Sequence, residues 1–243
     1  MDIVTIIKDL FYCGFDLQLW INHRFQDPTK IILEKSVTKY VVTPEELKFL
    51  PFGLDILYQV KWEYRFEDLK PDDIVLDLGA NIGAFSLRAA QKCNHVYAVE
   101  PLYTDELNAN IAINNLQDKI TVIPYGVGMG GKIPIRYQNR EKVIQTYPLS
   151  EILKKIGRVS FLKCDIEGAE WSIRPEDLKD IRRLEFEVHQ GRDSCMPENL
   201  QLLEFIRQNW RTETDKKTIR NPGCYIHAYP LGEIGRASCR ERV

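Results

Sequence analysis

From Ile74 onward the chain alternates short β-rich runs with helix-period runs, and this alternation constrains the fold more than any other feature. Parallel neighbours in a sheet need a crossover long enough to bring the chain back, and a helix supplies it. The pattern predicts strands over 74–78, 95–99, 120–124, 159–166 and 183–188, with a closing strand over 224–229. Helices are predicted over 84–92, from Thr104 or Asp105 to Asn114 and Asn115, along the stripe Leu149, Ile152, Leu153 and Ile156, and from Pro197 through Leu203, Ile206 and Trp210. The alternating run 132–137 reads as an added strand or hairpin. The fold class is therefore α/β with a mostly parallel sheet.

The first 60 residues follow a different pattern. Ile3, Ile6, Ile7 and Leu10 suit an amphipathic helix, whereas Phe15, Leu17, Leu19 and Ile21 alternate like a strand. Thr43-Pro44-Glu45-Glu46 reads as a helix start, a capping residue followed by proline at the first helical position. Residues 1–60 are taken as an N-terminal appendage, a substrate cap or oligomer contact lying on the sheet's edge or over its mouth. Residues 61–232 form the main domain. The stretch 233–243 breaks in composition and resembles a translated sequencing adapter, so it is set aside as an artefact tail.

Bulk properties narrow the function. The 243 residues carry a net charge of −2, so no basic field favours nucleic acid, and no nucleic-acid partner is expected. No apolar run reaches membrane-spanning length, and the apolar start lacks a signal peptide's basic region and cleavage site. Six cysteines lie far apart without a Cys-x-x-Cys pair, which suits reduced thiols and a cytoplasmic location. The four histidines show no metal-ligand spacing and no metal is expected; a divalent ion on Asp165, Glu187 and His189 is conceivable, but nothing in the spacing requires it.

The turn between the first predicted strand and helix reads Val75-Leu-Asp-Leu-Gly-Ala-Asn-Ile-Gly-Ala-Phe-Ser86. A dinucleotide site wants Gly-x-Gly-x-x-Gly so that backbone amides approach a pyrophosphate. Here Gly79, Asn81 and Ala84 hold those positions, and Asp77 adds negative charge where phosphate would lie. A ligand with a cationic end fits better, and S-adenosylmethionine has an ammonium, a sulfonium and no phosphate. Gly79 and Gly83 would let the chain turn beside it. Asp77 would orient the ammonium, and Asn81 would contact the methionine end or brace the loop. Alone, Gly-x-x-x-Gly fits a tight strand-to-helix turn equally well.

Glu100 strengthens the cofactor reading. It ends the second strand, twenty-one positions after Gly79, where a carboxylate in such sheets meets the ribose hydroxyls. By itself it could equally be a solvent-exposed acid. Tyr125 and Gly126, with Val127, follow the third strand and would flank the adenine.

Asp-Leu-Gly-Ala-Asn-Ile-Gly at 77–83, Ala-Val-Glu-Pro at 98–101 and Leu-Lys-Cys-Asp-Ile-Glu-Gly-Ala-Glu at 162–170 together resemble the FkbM-type methyltransferases. The resemblance covers roughly 60–229. It implies a class I methyltransferase (Rossmann-like) fold, with a seven-stranded sheet whose last strand is antiparallel. It also implies S-adenosylmethionine as cofactor and O-methylation of a glycan, lipid-linked sugar or natural product.

On the acceptor side, Asp165 and Glu167 stand two apart at the end of the fourth strand and face one way, as does Lys163. Strand carboxyl ends border the ligand crevice in open α/β sheets. Either acid would orient an acceptor hydroxyl or take its proton; the plainer alternative is an ion pair with Lys163. His189, beyond Glu185 and Glu187 on the fifth strand, is the third catalytic candidate because imidazole titrates near neutrality. The competing readings are an NAD-type oxidoreductase, disfavoured by Asp77 and Asn81, and a non-catalytic S-adenosylmethionine-binding module.

Overall fold

Val75, Leu76 and Leu78 are all fully buried, so the first predicted strand is covered on both faces, as a central parallel strand must be. The computed structural model describes residues 40–51, 56–137, 140–189, 197–216 and 224–231. In chain order the elements are β1 (Val41–Val42), β2 (Lys48–Phe49), α1 (Ile56–Glu63), β3 (Ile74–Leu78), α2 (Ala84–Ala90), β4 (His95–Val99), α3 (Thr104–Ile113) and β5 (Ile120–Ile123). Then come β6 (Gly126–Val127), β7 (Gly131–Tyr137), β8 (Arg140–Tyr147), α4 (Leu149–Ile156), β9 (Phe161–Cys164), β10 (Arg183–Val188), α5 (Pro197–Asn209), β11 (Trp210–Lys216) and β12 (Cys224–Pro230).

Seven strands form the main sheet in the order β11-β12-β10-β9-β3-β4-β5. β3, β4, β5, β9 and β10 run parallel to their neighbours among themselves, and β12 is antiparallel to both β10 and β11. This is the class I methyltransferase sheet, mostly parallel with its last strand reversed. The order turns outward from the β3–β9 pair, so the ligand crevice opens at the carboxyl ends of those two strands. Two apolar layers flank the sheet. Phe85, Leu87, Leu107 and Ile111 pack on one face, and Leu149, Ile152, Leu178 and Ile206 on the other.

Three local expectations are corrected. Thr43-Pro44-Glu45-Glu46 starts no helix but turns the hairpin β1–β2, with Thr43 N donating to Leu47 O at 2.8 Å. The run that follows alternates, burying Leu47 and Phe49, and offers no helical stripe. Trp210 is buried as expected but begins β11 instead of ending α5, and β11 was not foreseen because its Arg-Thr-Glu-Thr-Asp-Lys sequence has no apolar alternation. Its backbone is satisfied by seven paired positions on β12. The fourth strand is shorter than expected, because Asp165 and Ile166 already belong to the loop.

The described part of the N-terminal segment is fastened to the domain. Asn110 Oδ1 accepts from Leu50 N, and Asn114 Oδ1 from Lys48 N, each at 2.8 Å. Leu57, Val60 and Tyr64 are buried in the same layer as Phe85. The remaining readings on 1–39 and on the tail 233–243 fall outside the described residues.

Candidate active site

After β3 the chain turns sharply, with Gly79 N and Ala80 N both donating to Val99 O at 3.0 Å. Gly79 has φ 77°, Asn81 φ 51° and Gly83 φ 92°, all left-handed. A β-carbon on Gly79 would overlap the carbonyl oxygen of Asp165, so this glycine brings the turn against the exit of β9. A β-carbon on Gly83 would lie 2.7 Å from Leu107 Cδ1, so this one lets α2 and α3 close together; it does not line the cavity. Asn81 braces the turn, its Oδ1 accepting from Ile82 N at 2.8 Å.

Asp77 lies beneath the turn, fully buried. Its Oδ2 accepts from Ser86 Oγ at 2.6 Å and its Oδ1 stands 3.2 Å from Lys163 Nζ. It therefore acts on any ligand only through the turn and through Lys163. Glu100, nearly buried, gathers three backbone amides: Asn81 N at 2.8 Å, Leu102 N at 2.6 Å and Tyr103 N at 3.0 Å. Burial raises its pKa above the usual glutamate range, and the three amides oppose that shift.

A cavity of about 980 Å³ opens here. Gly79, Asn81, Glu100 and Gly126 line it; Asp77, Gly83 and Tyr125 do not. The Tyr125 ring instead packs edge-on against Tyr147, 4.7 Å between centroids. The β7–β8 hairpin forms a wall through Ile133, Ile135, Tyr137 and Ile144. It is pinned by Arg140, which pairs with Glu106 and donates to Leu102 O at 2.9 Å.

Asp165 and Glu167 line the same cavity, together with Glu187 and Tyr225. Tyr64, which sequence reasoning missed, offers its hydroxyl to Asp165 Oδ2 at 3.0 Å and to Glu187 Oε2 at 3.2 Å. No local pattern marks Tyr64; only the packing of α1 over the sheet brings it here. His189 stands just behind the lining, with Nε2 at 3.1 Å from Glu187 Oε1, 3.4 Å from Glu167 Oε2 and 4.0 Å from Asp165 Oδ1. Its Nδ1 lies 3.1 Å from the fully buried Glu170, which also accepts from His189 N at 2.7 Å. Burial alone would lower the His189 pKa, but the hydrogen bond and charge of Glu170, with the charges of Glu167 and Asp165, outweigh it and raise the net value. The three catalytic candidates are thus brought together. Their donor atoms lie within 4.8 Å of one another, a spacing that a divalent ion can bridge.

Residues 77–211 match the model of the FkbM methyltransferase domain. The chain belongs to that family. This methyltransferase is 36% identical over 91 residues to a Bacillus cereus protein named an uncharacterized RNA methyltransferase. It is 27% identical over 133 residues to a probable ribosomal RNA small subunit methyltransferase A from Methanothermobacter thermautotrophicus. These matches cover 37% and 51% of this chain but only 17% and 46% of the two relatives. Among solved structures, an FkbM methyltransferase from Methylobacillus flagellatus is similar over 68% of this chain and 44% of its own, at 20% identity and TM-score 0.49. The RNA methyltransferase names of two relatives overturn the expectation that nucleic acid plays no part, an expectation that rested on net charge and on the lack of a basic patch or an Asn-Pro-Pro-Tyr-like motif. No described helix is long and apolar enough to cross a membrane.

The family's cofactor is S-adenosylmethionine, and the cavity suits it. Its volume lies in the range of about 300–1,000 Å³ for small-molecule sites. The lining offers a carboxylate for a diol at Glu100, apolar walls at Leu102 and Val127, and acids but no phosphate cradle toward β9.

Proposed function

We propose that this methyltransferase moves a methyl group from S-adenosylmethionine to a hydroxyl of a glycan, lipid-linked sugar or natural product. The observation carrying this reading is that Asp165 and Glu167 line the same cavity as Gly79, Asn81 and Glu100, with His189 Nε2 within 4.0 Å of both acids. The cofactor supplies an electrophilic methyl whose sulfur keeps the bonding electron pair on transfer. Gly79, Asn81, Glu100 and Gly126 hold it, with Asp77 and Gly83 shaping the turn and Tyr125 supporting the wall from outside. Asp165, held by Tyr64, orients the acceptor hydroxyl. His189 takes the hydroxyl proton at Nε2, while Glu170 fixes its ring through Nδ1. Glu167, the most exposed of the three candidates, meets the rest of the acceptor. The reading assigns no step to a metal.

RNA is the second reading, favoured by the names of the two relatives. Methyl-labelled S-adenosylmethionine, offered with oligosaccharides, hydroxylated natural products and RNA transcripts, separates the two. Label on a sugar or small molecule supports the first reading, and label confined to RNA defeats it. A parallel arm with EDTA tests whether a metal takes part: a full loss of transfer, restored by magnesium, would show that it does.

A further inference from the structure

Methyl transfer as read above leaves Lys163 without a part. This lysine sits on β9 with its side chain 3% exposed, and it helps to line the cavity. Its Nζ donates to Gly79 O at 2.8 Å and lies 3.4 Å from Leu78 O. It is 3.2 Å from Asp77 Oδ1 and 3.8 Å from Asp165 Oδ2, and 5.4 Å from the centre of the Tyr64 ring. One ammonium therefore faces two carboxylates, one sealed under the turn and one on the cavity wall.

The consequence concerns charge. S-adenosylmethionine and its product S-adenosylhomocysteine differ by one methyl and by the positive charge on sulfur. A fixed charge beside the turn acts mainly on that difference, because the rest of the two molecules is the same. Asp77 cannot be screened by water, so an ionised Asp77 without Lys163 would set its charge against the cavity. The pocket would then hold the sulfonium harder than the neutral thioether. Such a preference stabilises the ground state of a reaction that discharges sulfur, and so opposes the reaction.

We propose that Lys163 is a specificity-determining residue: its ammonium cancels the buried Asp77 charge and so sets the preference of the pocket for S-adenosylmethionine over S-adenosylhomocysteine. The inference rests on the cofactor reading above. Its test is calorimetric titration of both ligands into the full chain and its variants, with no acceptor present. Lys163→Gln is expected to raise the ratio of S-adenosylmethionine to S-adenosylhomocysteine affinity by about fivefold or more, the order expected for one unit charge at partial burial. Lys163→Arg keeps the charge and should keep the ratio within about twofold of the parent. Equal loss of both ligands in Lys163→Gln, with the ratio unchanged, would overturn the inference and leave Lys163 a plain structural ion pair. Should Lys163→Gln not fold, Asp77→Asn and the double variant Asp77→Asn/Lys163→Gln provide the comparison. They differ by the same ammonium but bury no unpaired carboxylate at 77, and an equal ratio in the two overturns the inference as well. A parent chain that binds neither ligand would instead sink the cofactor reading, and the inference with it.

Discussion

Tyr64 and Asp165 lie 101 positions apart in the chain and share a 3.0 Å hydrogen bond, with Asp165 on the cavity wall. The bond ties the segment before β3 to the loop after β9, so the Asp165 carboxylate is held by packing from outside its own motif. Tyr64→Phe removes one donor from two acids and should cost about 1–2 kcal/mol in urea unfolding, the scale of a buried hydrogen bond to a charged group. Asp165→Asn keeps the shape and should lower turnover at least about tenfold, with S-adenosylmethionine affinity little changed. Normal turnover in Asp165→Asn would remove that residue from the chemistry.

Two glycines with similar φ should respond very differently to alanine. Gly79 and Gly157 have φ 77° and 82°, but only Gly79 faces the carbonyl of Asp165, while nothing lies within 4 Å of a β-carbon at Gly157. Gly157→Ala should cost about 1–3 kcal/mol, the backbone strain alone, because φ 82° with ψ −145° is essentially a glycine-only conformation. Gly79→Ala must also displace the β9 exit, so thermal melting should show a much larger loss and cofactor binding should fail. Equal losses at the two sites would contradict the geometry.

Glu100 holds three backbone amides and also lines the cavity, where the proposed function gives it the cofactor. Glu100→Ala frees three amides and removes the carboxylate from the cavity, so both melting temperature and S-adenosylmethionine affinity should fall. The affinity loss should be about 1–3 kcal/mol. Because burial raises its pKa, Glu100 takes up a proton above the usual glutamate range on acidification. Calorimetry should therefore show affinity weakening earlier than a free glutamate would predict, and the early weakening should vanish in the alanine variant.

His189 has its pKa raised above 6.5, which fixes the sign of two pH effects. A base must be neutral to accept a proton, so turnover should climb as pH rises through the raised value, and the climb should flatten in His189→Ala. Stability runs the other way. The imidazolium's stabilising share is complete below the unfolded value of about 6.5 and is lost as pH rises through the folded value. A melting temperature that falls over that window in the parent, and not in His189→Ala, would confirm the sign. A turnover climb that persists in the variant would assign the proton to another group.

How much of this was legible in the sequence depended on whether neighbours in space were also neighbours in the chain. The β3 turn was readable because Asp77, Gly79, Asn81 and Gly83 sit within seven residues whose spacing is set by one strand end and one helix start. The strands 74–78 and 95–99 were readable from runs rich in β-formers, as burial on both faces demands, and 183–188 from the alternation of Leu184, Phe186 and Val188 with charged residues. β11 was not, since a polar edge strand takes its backbone partners from β12 and carries no apolar signal of its own.

By itself the sequence determined the α/β alternation, the phosphate-hostile turn and the family. Only the tertiary structure decided which candidates meet. It turned Tyr125 away to Tyr147, sealed Asp77 under Lys163, and brought Tyr64 and Glu170 to Asp165 and His189. The physical reason is that hydrogen bonds and ion pairs act over a few ångströms of space, while sequence patterns record only the order in which the chain supplies the groups.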